Sequence, residues 1–179
     1  MGKKELKCII KQDSRYYDTF PLKEKIKMFL IKDHFYEIHK YMKYLRYEEY
    51  YRNCKSKLGK ILEVYYALKK NRLGNRLGFY IKPNSLGKGT VIYHHGSVII
   101  NGYAKLGENC ELHGNNCIGN DGVSIKAPQI GKNVNIGYGA SVIGDVYIAD
   151  DVKIGAGAVV VKSCTKKGAT LVGVPAKEI

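Results

Sequence analysis

Two adjacent histidines, His94 and His95, sit in the segment Tyr93-His94-His95-Gly96-Ser97. An imidazole with a reference pKa near 6.5 can accept a proton at neutral pH and hand it on. A third histidine, His113, follows the aliphatic Leu112, so its side chain points outward from whatever Leu112 packs into. His34 and His39 lie in a Tyr- and Lys-rich region and read as surface or packing residues. The five cysteines (Cys8, Cys54, Cys110, Cys117, Cys164) are scattered and form no Cys-x-x-Cys pair, which excludes a zinc ribbon or redox motif. Free thiols in a reducing compartment are expected.

The histidine pair stands beside a break in a pattern. Every sixth position from 100 to 160 reads Ile100, Leu106, Leu112, Ile118, Ser124, Ile130, Ile136, Val142, Ile148, Ile154, Val160. Ten of these eleven are aliphatic, against about three expected from the composition of that half of the chain. Two residues before most of them is a small or short residue, such as Ala104, Cys110, Asn116, Ala140 or Ala158. Glycine follows many, as at Gly107, Gly119, Gly131, Gly137 and Gly155. A period of six is neither helical nor simple strand alternation. It predicts short strands joined by tight turns and stacked as a solenoid with an interior aliphatic ladder. The glycines with Asn109, Asn133, Asp145 and Asp151 supply the turn conformations.

The ladder has two defects. Leu86, Ile92 and Val98 also step by six but are out of phase with Ile100 by two residues, and the slip falls beside His94. The second defect is Ser124, within Asn120–Pro128, which reads as a loop leaving the solenoid. Departures from a local rule mark functional sites.

Of the chain's 179 residues, 1–78 carry net charge +11 and ten of the 15 tyrosines, whereas 79–179 carry net charge +3 and 16 of the 20 glycines. Two units are expected: an α-helical N-terminal segment over 1–78 and a solenoid over 79–179. Within the first, Pro21 opens a segment with Leu22, Ile26, Phe29, Leu30, Ile38, Met42 and Leu45 near a 3.6 period, continued by Tyr41, Tyr44, Tyr47 and Tyr51. The spacing predicts a helix with a buried stripe from Pro21 through Tyr51. A second helix runs from Ser56 through Leu68, with Gly74 and Gly78 at its exit. Runs such as Lys23-x-Lys25-x-Lys27 read as a solvated face, with attraction to an anionic membrane surface as the alternative. Nucleic-acid binding is not expected, since no base-stacking module accompanies the charge. No apolar run reaches the roughly 18 residues of a spanning helix. The N-terminus lacks a secretion signal, and Leu6 breaks the myristoylation pattern. A cytoplasmic protein is the expectation.

The repeat Ile-Gly-x-x-Ala-x and the ending Gly173-Val174-Pro175-Ala176-Lys177 resemble the hexapeptide-repeat acyltransferases, which have a left-handed parallel β-helix. From Ile81 to Ile179 the chain is similar to serine acetyltransferase, and closer still to serine-acetyltransferase-like enzymes of capsule and exopolysaccharide synthesis. The resemblance implies a mainly β fold, a homotrimer and acetyl-CoA as co-substrate, with no metal. His94 matches the family's catalytic histidine, a general base that takes the proton of an attacking hydroxyl. No cysteine is placed to form a covalent intermediate. His113, His95 and Asn120 are candidate substrate-binding residues. Carried across from the family, Asn120 falls near the thioester, and Tyr138 and Ala156 lie along the pantetheine arm. Lys153, Lys162 and Lys177 are candidates for the CoA phosphates. The three-histidine zinc site of the hexapeptide carbonic anhydrases does not match these spacings.

Departures from the family bear on the acceptor. The acidic residue that supports the base in serine acetyltransferases matches Tyr80, the aspartate before the catalytic histidine matches Tyr93, and the second histidine of the serine site matches Ala127. A site without those polar partners should bind free serine poorly. The sequence therefore puts a surface-polysaccharide sugar hydroxyl first as acceptor. L-serine is the alternative, and a non-catalytic binding or scaffold solenoid the second alternative.

Overall fold

The computed structural model describes residues 2–179. Its N-terminal part is helical: α1 (Lys3–Asp13), a 3-10 turn (Tyr17–Thr19), α2 (Leu22–Ile31), α3 (His34–Arg52) and α4 (Lys57–Leu77). The helix expected from Pro21 through Tyr51 is two helices. Lys32 adopts a left-handed φ of 55°, and the Asp33 carboxylate accepts the Phe35 N–H, capping a new start. A short acidic side chain that satisfies a free N–H competes well with continuing the old helix. α4 starts at Ser56, whose Oγ accepts the Gly59 N–H, and stops at Gly78 in the left-handed region. α3 and α4 pack through tyrosines, with the Tyr66 ring stacked 4.7 Å from Tyr47 and 5.5 Å from Tyr51.

The expected buried stripe is only half correct. Ile38, Tyr41, Met42 and Leu45 are buried, but Leu22, Ile26, Phe29 and Leu30 of α2 are exposed, as are Leu58, Ile61, Tyr65 and Leu68 of α4. Periodicity fixes which residues share a face and not what covers it.

From Phe79 the chain becomes a three-sided left-handed parallel β-helix. One face stacks β1 (Phe79–Ile81), β3 (Val98–Ile100), β6 (Cys117–Gly119), β9 (Ser141–Ile143) and β12 (Val159–Val160). The second stacks β4 (Lys105–Leu106), β7 (Gln129–Ile130) and β10 (Tyr147–Ile148). The third stacks β2 (Val91–Ile92), β5 (Glu111–Leu112), β8 (Asn135–Ile136), β11 (Lys153–Ile154) and β13 (Thr170–Gly173), and is closed by antiparallel β14 (Ala176–Glu178). The sixth-position residues stack in register: Ile100 on Ile118, Val142 and Val160, and Ile92 on Leu112, Ile136, Ile154 and Leu171. All are buried.

The short residues two places earlier fill the inner corners. Among them Asn116 is buried yet satisfied: its Nδ2 donates to the Gly137 and Ala140 carbonyls, and its Oδ1 accepts the Gly114 N–H. Asn109, Asn133 and Asp151 take the left-handed turn positions; near Asp145 it is Gly144 that does so.

Both defects are structural. Between β2 and β3 the corner has two surplus residues, and it carries His94 and His95. Gly96 (φ 125°) donates its N–H to the Leu77 carbonyl at the end of α4, and Ser97 N–H donates to Asn115 Oδ1. At the second defect Ile118 stacks on Val142, so six residues leave the prism as a loop, with Val123 94% exposed. Because the surplus equals one repeat unit, the sequence rhythm runs through Ser124 unbroken.

One hydrophobic core runs from Ile38 and Leu45 into the solenoid as far as Leu171. A buried ionic cluster ties the same two parts together. Arg46 of α3 pairs with Asp13 at 2.7 Å and Glu49 at 2.9 Å, and donates to the Leu86 and Gly87 carbonyls. Asp13 and Glu49 in turn accept the Gly89 and Asn84 N–H groups. The helices are thereby fixed on the first coil, beside the widened corner. Among the described residues no helix is long and apolar enough to cross a membrane.

Candidate active site

The widened corner opens onto a groove of about 680 Å³ along one edge of the solenoid. His94, His113, Tyr138, Lys153, Gly155 and Ala156 line it. The repeat brings these together: positions 113, 137–138 and 155–156 are equivalent turns on successive coils, following β5, β8 and β11. His94 occupies the same corner one coil earlier. Gly114 permits the close fit, since a Cβ there would lie 3.2 Å from His94 Cβ and 3.3 Å from the Tyr138 ring. At Gly137 a Cβ would meet the Ala156 nitrogen at 2.6 Å, so the groove floor is backbone against backbone.

Tyr93 does not replace a carboxylate. Its ring is held between His113, stacked at 4.8 Å, and Tyr16, edge-on at 4.8 Å. Partial burial, with Glu111 nearby, raises its phenol pKa. Tyr138 is held over the groove by its hydroxyl, which accepts from Asn115 Nδ2 at 2.6 Å. Tyr80 is exposed with the Lys82 ammonium over its ring, and Ala127 is buried.

The other sequence candidates divide. His95 is exposed beside His94 on the corner. Asn120 lies at the far end of β6, where its Nδ2 donates to the Ser124 carbonyl and its Oδ1 accepts from Asn101; it is not among the groove residues. Lys162 follows β12 and Lys177 lies in β14, both exposed and off the groove, so Lys153 is the lysine that this chain places there. Among the described residues no cluster of three or more His, Cys, Asp or Glu could hold a metal ion.

Sequence reasoning missed His34. As the first residue of α3 it places its ring 6.1 Å from His94 and 5.5 Å from His95. Burial lowers its pKa; Asp33 opposes that shift, and the two neighbouring imidazoles add to it. No sequence signal links positions 34 and 94, because only the break at Lys32 and the docking of α3 bring them together. His39, by contrast, is a packing residue, stacked on Tyr17 at 4.3 Å, and burial lowers its pKa to about 4.

The left-handed prism with its sixfold aliphatic ladder is the fold expected of the hexapeptide-repeat solenoids. Residues 127–162 match the family described as bacterial transferase hexapeptide (six repeats). The more particular resemblance is to serine acetyltransferases. That of Synechococcus elongatus is 34% identical over 105 residues, covering 57% of this chain and 43% of the relative. That of Helicobacter pylori strain 26695 is 36% identical over 105 residues, covering 57% of this chain and 61% of the relative. The chain therefore spans only about half the length of these curated relatives. Among solved structures, the serine acetyltransferase of Brucella abortus superposes with a TM-score of 0.76 at 21% identity, covering 99% of this chain and 70% of that one. The Neisseria gonorrhoeae serine acetyltransferase in complex with serine gives 0.71 at 27% identity, covering 99% and 70%. The fold likeness thus extends through the helices, where the sequence match does not.

Proposed function

We propose that this protein is an acetyl-CoA-dependent O-acetyltransferase with His94 as its general base. The observation that carries the reading is the position of His94, at the mouth of a groove whose floor is close-packed backbone at Gly137 and Ala156. An extended thioester arm fits such a floor, and Lys153 offers a charge for its phosphates. An alcohol is a weak nucleophile, so a base must take its proton as it attacks the thioester carbonyl. The oxyanion that forms needs a donor, which a backbone N–H of the corner can supply. The resemblance to serine acetyltransferases supports a homotrimer, in which a neighbouring solenoid covers the open groove.

For the acceptor, the named relatives favour L-serine over the sugar that the sequence departures put first. One observation keeps the sugar as a second reading. Tyr80 faces solvent, Tyr93 is locked between two rings and Ala127 is buried, so none of the three supplies the charge that a zwitterion calls for. The exposed Leu22, Ile26, Phe29 and Leu30, set among lysines, support peripheral contact with an anionic membrane surface. Failure to bind anionic vesicles at low salt removes that contact.

The test is release of free CoA thiol from acetyl-CoA, with L-serine or N-acetyl-D-glucosamine as acceptor. His94→Ala should lose about 10²–10⁴-fold in rate. Serine-dependent release that vanishes in this variant selects the first acceptor, and sugar-dependent release the second. Unchanged release in His94→Ala removes the base from the mechanism.

A further inference from the structure

Among the described residues no side chain is hydrogen-bonded to His94, and a neighbouring imidazole comes from the helices. His34 projects from the first turn of α3 toward the corner, with its ring 6.1 Å from that of His94 and inclined to it by only 27°. Its Nδ1 is 3.6 Å from the Asp33 carboxylate, which favours the proton on that nitrogen and leaves Nε2 as an acceptor. Nε2 is closed to solvent and has no hydrogen-bond partner. An enclosed polar atom left unpaired is costly, so its presence beside a working imidazole calls for a partner at another stage of turnover. Catalytic hydrogen bonds that are long in the empty site commonly tighten when substrate is bound.

We propose that His34, backed by Asp33, is the positioning residue of His94, an Asp–His–His chain that spans the helical segment and the solenoid. This rests on the acetyltransferase reading above. As the acceptor oxygen attacks, the C–O bond forms and the hydroxyl proton passes to one nitrogen of His94. The N–H on the other His94 nitrogen donates to His34 Nε2, which fixes the ring and stabilises the imidazolium. When the C–S bond breaks, that same proton goes to the CoA sulfur, and His94 is neutral again. His34 stays neutral throughout. The titratable groups that face it are Asp33 from its own helix start and His94 and His95 from the corner.

The experiment compares wild type, His94→Ala, His34→Ala, His34→Gln and Asp33→Asn, following CoA release from pH 5 to 9 with L-serine and with N-acetyl-D-glucosamine. His34→Ala should lower kcat about 10–100-fold, the range found when the outer partner of a metal-bound histidine is removed, with KM for acetyl-CoA unchanged. Loss of the acceptor makes His94 less basic, so the acid limb of the profile should move to lower pH. His34→Gln, whose amide oxygen can accept the same N–H, should recover part of the rate. Asp33→Asn keeps the helix cap and should move the limb the same way. An acid limb that stays put or moves upward in His34→Ala overturns the proposal, as does a glutamine variant no better than alanine. If wild type releases no CoA with either acceptor, or His94→Ala is fully active, the transferase reading falls and takes this one with it. If those two proteins behave as expected and only His34 is silent, this proposal alone fails.

Discussion

Replacing Arg46 by Ala tests how the helices are held where His34 can reach the corner. The Arg46 side chain is 4% exposed, and its partners Asp13 and Glu49 are 4% and 6% exposed. The substitution removes two ion pairs and the donors to the Leu86 and Gly87 carbonyls, and leaves two carboxylates in the interior. Burial already holds Asp13 above the ordinary carboxylate range, against the pull of Arg46. Breaking a buried pair of this kind costs about 3–5 kcal/mol. In a chain of this length that lowers Tm by roughly 6–20 °C. Urea unfolding at pH 7 and pH 4.5 measures it, read as a shift in midpoint at constant slope. The loss should shrink at pH 4.5, because protonating the stranded carboxylates relieves the unpaired charge. Combining Arg46→Met with Asp13→Asn and Glu49→Gln should restore most of the stability, since a neutral set of similar volume avoids the charge altogether. A loss below about 1 kcal/mol at pH 7 for Arg46→Ala, or a larger loss in acid, refutes the reasoning.

Other expectations follow from the same packing. His39 has a folded-state pKa of about 4 against about 6.5 when unfolded, so the unfolded chain binds the extra proton between those values. Stability should therefore fall as pH drops from 6.5 to 4, by about 1–2 kcal/mol once partial solvent contact is allowed for, and His39→Phe should reduce that slope in urea midpoints at pH 7 and 5, leaving the part that His34 contributes. Leu112→Ala removes a fully buried ladder residue and should cost about 2–5 kcal/mol, whereas Val123→Ala on the loop should change unfolding by less than about 0.5 kcal/mol. Gly137→Ala forces a Cβ against the Ala156 backbone and should cost about 1–3 kcal/mol; the same variant should raise KM for acetyl-CoA more than KM for the acceptor.

The solenoid was legible because each coil obeys a local rule. An interior residue every sixth position, a short residue two places before it and glycine or asparagine at the turn leave little freedom in where the chain goes. That rule also located the His94–His95 pair, through the two surplus residues that break it. The loop at Asn120–Pro128 was found through a single polar residue, and because it adds one repeat to the coil the phase itself gave no sign. In the helical part, periodicity gave the residues of each face but not their cover: Leu45 is buried and Leu22, from the same expected stripe, is open to solvent.

The break at Lys32 and Asp33 was hidden because a cap is one residue in an otherwise helical pattern, and helix propensity is a weak prior against it. Composition and spacing by themselves determined that this protein is a solenoid of short strands with a helical segment before it, and that His94 and His95 stand at the irregular corner. Only the tertiary structure decided that His34, sixty positions away, shares that corner. Contacts between distant segments depend on the docking of whole elements, here through the buried Arg46 cluster, and no local pattern encodes them.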